Sequence, residues 1–157
     1  MVNSRQKGAK AEALVANMLT RHTQLPFVGT PGSGSGKIKG DLYLTHKINK
    51  FLIEVKFYKD DAVTTKIFTN KSNNFVQWWA KARQQAELCN QEPLLFFKAN
   101  HAQFFVSTVR KPQKLEQYMH LPWLDAYICL AERWLTLEKQ EWTHGDRVYE
   151  PWKPSNS

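Results

Sequence analysis

Residues 51–57 read Phe-Leu-Ile-Glu-Val-Lys-Phe, an apolar run that carries charges at two alternate positions. Such a run predicts a largely buried strand, because a strand covered on both faces loses the polar alternation of a half-exposed one. Successive side chains of a strand point to opposite faces, so Glu54 and Lys56 share a face and Val55 takes the other. Burying a carboxylate and an ammonium there is costly unless they are paired. An ordinary Glu54–Lys56 ion pair would meet that cost; so would a site that needs both charges.

Asp41 opens a second predicted strand, 41–45, with twelve residues between it and Glu54. The intervening 46–50 is of hairpin length, which brings the Asp41 carboxylate beside that of Glu54. Adjacent carboxylates repel unless a proton or cation lies between them. Hard oxygen donors on a rigid sheet suit Mg²⁺, commonly held by one or two carboxylates with water and substrate phosphate. A metal there acidifies a bound water and offsets charge at a phosphate, and Lys56 stands where an ammonium can orient that water or contact the phosphate. Glu12 lies at the edge of the apolar stripe of a predicted first helix, residues 4–22, in which Ala11, Leu14, Val15, Met18 and Leu19 recur at helical spacing. Alone it is a solvated glutamate; with the other three it becomes an outer or water-mediated ligand.

The rest of the 157-residue chain frames this constellation. Lys and Arg number 22 against 14 Asp and Glu, a formal charge of +8, which points to a polyanionic partner. The excess is local: residues 1–60 hold ten basic and four acidic residues, 61–110 six and three, and 111–157 six and seven. Any polyanion contact therefore belongs to the first 110 residues. The Gly/Ser-rich loop 31–37 fails as a P-loop, because Pro31 stands where the first glycine is needed and Ile38 where Ser or Thr is needed. No GxGxxG spacing fits either. Beside Lys37 and Lys39 the loop can still track a phosphate backbone. Cys89 and Cys129 have no metal-ligand spacing, and no apolar run approaches a membrane span. With no signal-peptide stretch at the N-terminus, a cytoplasmic protein is expected, in a prokaryote or a phage-infected host cell.

Further predicted elements are a short strand at 27–30, a polar loop at 58–74, a helix at 74–89 and strands at 93–98 and 103–108. Residues 114–119 read as a short helix, and 126–142 as either a helix or a hairpin, since its periodicity is ambiguous. The order α-β-β-β-α-β-β over 4–109 implies an α/β domain with a central mixed sheet flanked by helices. The aromatics Trp123, Tyr127, Trp134, Trp142 and Trp152 read as core or dimer packing, as do Trp78 and Trp79.

The pattern Asp41-x₁₂-Glu54-Val55-Lys56 resembles the core motif of the PD-(D/E)XK nuclease superfamily. More specifically, the basic Lys7-Gly8-x₃-Glu12 opening resembles that of archaeal-type Holliday junction resolvases. The Gly/Ser loop, the Asp, the Ile-Glu-Val-Lys strand and the Pro-Leu-Leu-Phe-Phe-Lys strand follow in the same order. The resemblance spans residues 5–109 and implies a restriction-endonuclease-like core over 1–110. It implies an active site of Glu12, Asp41, Glu54 and Lys56, with Ser33 or Ser35 as a loop serine. Asp41, Glu54 and the Val55 carbonyl would hold Mg²⁺, which Mn²⁺ can replace, and Glu12 would support it through water. Gly40 stands where the superfamily has proline.

The activity implied by the resemblance is that of a structure-selective endonuclease resolving four-way DNA junctions. Lys7, Lys10, Lys37 and Lys39 would hold the DNA backbone, and a homodimer would supply two cuts symmetrically. A less selective repair or recombination nuclease with the same core is the alternative. From another class, a non-catalytic DNA-binding module would use the same charges structurally. Residues 111–157 form an extension expected to pack on the core or at a dimer interface, with a flexible tail at 151–157.

Overall fold

A computed structural model describes residues 4–31 and 39–144. Helix α1 (Ser4–Thr23) leads into strands β1 (Phe27–Gly29), β2 (Leu42–Leu44) and β3 (Phe51–Tyr58). Helix α2 (Asn74–Leu88) crosses over to β4 (Glu92–Ala99), followed by β5 (Phe105–Thr108), β6 (Met119–Leu121), β7 (Ala126–Leu130) and α3 (Ala131–Leu137). The strands form one seven-stranded sheet in the order β1-β2-β3-β4-β5-β7-β6. Only β3 and β4 pair in parallel, joined by α2; the other neighbours are antiparallel.

The parity of β3 organises both layers. Phe51, Ile53, Val55 and Phe57 face the layer that holds α1 and α3, where they meet Ala11, Val15, Met18, Leu19, Ala131 and Trp134. Leu52, Glu54, Lys56 and Tyr58 therefore face the opposite side, where Phe75, Trp79 and Ala82 of α2 pack on Leu95 and Phe97 of β4. Leu14, expected in the apolar stripe of α1, is 41% exposed; its four companions are buried. Asn73 caps α2 by accepting from Val76 N at 3.1 Å and donates to Ala62 O at 3.0 Å. That pair anchors the connecting segment, which contains a 3₁₀ turn at Thr65–Phe68 rather than being irregular throughout.

Beyond residue 110 two expectations change. No helix forms at 114–119. The Glu138 carboxylate accepts from the backbone N–H groups of Lys114 at 2.8 Å and Leu115 at 3.3 Å, and from Gln113, so those donors are satisfied without a helical ladder. Met119 instead opens β6. The ambiguous stretch 126–142 is a strand followed by a short helix, two periodicities in succession. Strand β7 inserts between β5 and β6, so this region supplies two strands of the same sheet. Trp142 is buried with its ring against Phe27, Phe51 and Trp134. Trp123 lies outside the core: it is 47% exposed, with its ring against Phe68. Tyr127 is half-buried and stacks on His120, and Trp152 lies outside the described residues.

Candidate active site

Asp41 is held between two strands by its own backbone. Its N–H donates to Ile53 O at 2.7 Å on the β3 side, and its carbonyl accepts from Thr30 N at 3.0 Å on the β1 side. The preceding Gly40 has φ of +87°, and a Cβ there would stand 3.0 Å from Ile53 O and 3.3 Å from Ile53 N. A glycine is what lets the chain approach β3 so closely and turn into Asp41. The Thr30 hydroxyl closes the turn by donating to Gly40 O at 2.7 Å.

This anchoring aims the Asp41 side chain along the edge of β3. Strands β2 and β3 pair only at Leu42 and Ile53, so the edge of β3 at Val55 is not covered by β2. The Asp41 carboxylate covers it, accepting from Val55 N at 2.7 Å. Within a strand the N–H and C=O of one residue point to the same edge, so the Val55 carbonyl turns toward Asp41 as well.

Glu54 is half-buried on the α2 face, and its carboxyl shares a hydrogen bond with that of Asp41. Burial first, then the charge and hydrogen bond of Asp41, push the Glu54 pKa up to about 8, while Lys56 and Lys81 oppose the rise. Glu12 reaches the same place from the α1 layer. Its pKa is also raised, by burial and by the charge of Asp41, with Lys56 opposing and a hydrogen bond to Asp41 adding to the rise. Asp41 is thus the central carboxylate of three, and Lys56 is the cation that acts on both glutamates.

Repulsion between Asp41 and Glu54, expressed as a raised affinity for a proton, is the condition that a cation would relieve. Among the described residues no three His, Cys, Asp or Glu side chains close into a finished metal cage. Two carboxylates and a carbonyl at one strand edge nevertheless match the sparse protein ligation typical of Mg²⁺, which keeps most of its water. The donor chemistry fits the ion.

Of the expected backbone contacts, Lys7 lies with Nζ 4.5 Å from the centre of the Phe57 ring, Lys10 is exposed and Lys39 half-buried. Ser33, Ser35 and Lys37 fall outside the described residues. Two cations were missed by sequence reasoning. Lys98 Nζ lies 4.7 Å from the same Phe57 ring and 5.5 Å from that of Phe104. Lys98 is the β4 register partner of Phe57, so a parallel crossover would have placed it beside the site. Lys81 acts on Glu54 from α2, and the signal was that a crossover helix must cover the face holding Glu54.

A parallel β3-α2-β4 crossover in a mixed sheet, with Asp and Glu-x-Lys converging at a strand edge, defines the PD-(D/E)XK nuclease class. A family model described as "Phage putative PDDEXK endonuclease" matches residues 3–140. The chain belongs to this phage PD-(D/E)XK endonuclease family and is a nuclease. It is 28% identical to Protein D14 of Escherichia phage T5 over 158 residues, spanning 96% of this chain and 92% of that protein. Among solved structures it is similar to the Holliday junction resolvase Hjc of Archaeoglobus fulgidus, with 13% identity and a TM-score of 0.43 over 79% of this chain and 88% of that one. Among the described residues no helix is long and apolar enough to cross a membrane.

Proposed function

We propose that this protein is a Mg²⁺-dependent endonuclease that cuts branched DNA, with four-way junctions as its substrate and a homodimer as its working form. The observation that carries the hydrolytic part is the Asp41 carboxylate held at 2.7 Å on Val55 N, beside Glu54 and on the sheet face of Lys56. Junction preference is inferred from the Lys7-Gly8-x₃-Glu12 opening and the Gly/Ser loop ahead of Asp41, and the dimer from the symmetry of a two-strand cut.

Asp41, Glu54 and the Val55 carbonyl would hold Mg²⁺, or Mn²⁺ in its place, with Glu12 acting through water. Bound there, the ion supplies an acidified water and offsets charge on the phosphate. The chain's own part is positional. Lys56 orients the attacking water and stabilises the charge that develops as the P–O bond breaks, an electrostatic role suited to a partly dry site. Lys7, Lys10, Lys37 and Lys39 hold the sugar-phosphate backbone without reading sequence. The protein acts in the cytoplasm of a host cell.

The deciding experiment offers the protein and Mg²⁺ a labelled synthetic four-way junction beside a linear duplex of the same sequence. Paired nicks across the junction, at a rate well above that on duplex, are expected. Equal cleavage of both would return the protein to the less selective nucleases, and cleavage of neither would leave a DNA-binding module.

A further inference from the structure

The α2 face of the sheet continues past Lys56 into a cleft that the hydrolytic machinery does not use. Phe97 of β4 is the register partner of Lys56, so the two side chains stand on one face, about 4.8 Å apart in strand spacing. Phe97 forms part of the floor of a cavity of about 250 Å³. Its ring stacks on that of Phe105 at 5.9 Å with an interplanar angle of 26°. Ala62 and Val63 of the β3–α2 segment line it as well, and Met119 of β6, itself 47% exposed, continues the sheet face of Phe97 and Phe105 across β7. Asp61, which is exposed, also lines the cavity.

The cavity lies just below the usual range for organic-ligand pockets, about 300–1,000 Å³, so it suits one ring system rather than an extended ligand. An aromatic floor with a thioether beside it favours a flat, polarisable guest. Its place fixes what that guest is. If a phosphodiester lies at Lys56, the base attached to the neighbouring sugar is the planar group within reach of Phe97. A base stacked and paired within continuous duplex is held in the helix, whereas one at a branch point, where the stack is interrupted, can leave its pair and enter.

We infer that this cleft receives a single unpaired nucleobase of the strand being cut, next to the scissile phosphate. The inference rests on the nuclease reading of the adjacent site and deepens it: the enzyme selects strands whose bases are free to leave the stack. The Asp61 carboxylate among the lining residues is an acceptor for the donor edge of that base.

The test uses the full chain with Mg²⁺ and a branched substrate whose cleavage position has been mapped. An abasic residue replaces, in turn, each nucleotide flanking the scissile phosphate. One replacement should slow cleavage between about fivefold and a hundredfold, the range that base–aromatic stacking supports. Two variants that fill the cleft, Val63→Trp and Met119→Trp, should slow cleavage of the intact substrate similarly, yet cut the abasic one as fast as the unaltered enzyme does. Either variant suffices if the other fails to fold. Cleavage indifferent to both abasic positions, or full activity in a folded filled variant, would overturn the cleft's assignment while leaving the nuclease intact. No cleavage of any DNA by the unaltered protein would overturn both.

Discussion

The Asp41 carboxylate accepts the Val55 backbone N–H at 2.7 Å, so the residue just ahead of β2 is locked to the middle of the motif on β3. That bond fixes Asp41 independently of any ion and leaves its remaining oxygen lone pairs, with Glu54 and the Val55 carbonyl, as the donor set proposed for Mg²⁺. Among the described residues the Glu54 side chain makes no hydrogen bond to a backbone group. Glu54→Gln should therefore leave the fold intact and lower cleavage at least a hundredfold, as losing several kcal/mol of transition-state stabilisation requires. Junction affinity should persist because the lysines remain. Gel-shift and cleavage assays on one preparation read both, and a variant that cuts at a normal rate would remove Glu54 from the chemistry.

Without divalent metal the same carboxyl should impose a pH slope on stability. Its folded pKa lies near 8, above its ordinary value near 4.5, so between those values the folded state binds more protons than the unfolded one. Stability from this group is complete below about pH 4.5 and falls as pH rises toward 8. Melting temperatures in EDTA should decline across that window by more in the native protein than in Glu54→Gln. Added Mg²⁺ should flatten the decline by taking the proton's place. A native profile parallel to that of the glutamine variant would contradict the buried carboxyl pair.

Gly40→Ala tests the turn that delivers Asp41. The substitution forces a side chain into a backbone with φ of +87° and within 3.0 Å of Ile53 O. The expected cost is about 1–3 kcal/mol, about 2–10 °C in melting temperature for a chain of this size. Cleavage should fall with it, since displacing Gly40 moves Asp41. Denaturant melts and rates on the same variant would separate a loss of stability from a loss of geometry.

Much of this was legible in the residues because strand parity and spacing are local properties. Glu54 and Lys56 had to share a face once 51–57 was a strand, and the short connection to 41–45 had to bring Asp41 alongside. The departures arise where a distant partner decides. Residues 114–119 have apolar spacing that suits a helix, but the backbone donors of Gln113, Lys114 and Leu115 are taken by Glu138. Trp123 carries no local mark of being exposed; its place is set by a 3₁₀ turn at Pro122–Leu124 that pairs it with Phe68. Lys98 and Lys81 join the site only through the parallel crossover, which pairing order determines and composition does not.

Glu138→Ala tests that distant control. The carboxylate is buried and serves three consecutive N–H groups, so its removal leaves donors unsatisfied at about 1–3 kcal/mol. The segment carries Leu115 into the α1–α3 core, and its loosening should raise amide exchange at 113–115 before it affects the rest of the sheet. Melting temperature should fall while the metal-free pH slope from Glu54 is unchanged. Loss of that slope would mean that Glu138 shapes the catalytic face as well.

Lys98 offers the cleanest separation of binding from chemistry. Its ammonium and that of Lys7 lie 4.7 and 4.5 Å from the Phe57 ring, and Val55 and Phe57 turn to the face opposite Glu54 and Lys56. The two cations therefore flank the proposed catalytic edge from the α1 side, held by cation–π attraction, with no carboxylate partner among the described residues to cancel their charge. Each is free to neutralise one phosphate. Lys98→Ala should weaken binding to junctions of unrelated sequence to a similar degree and reduce the slope of log affinity against log salt by about one. Lys7→Ala should do the same, and the double variant should lose about two. At saturating DNA the cleavage rate of Lys98→Ala should stay near that of the native enzyme. A fall in that rate with an unchanged salt slope would place Lys98 in the chemistry rather than on the backbone.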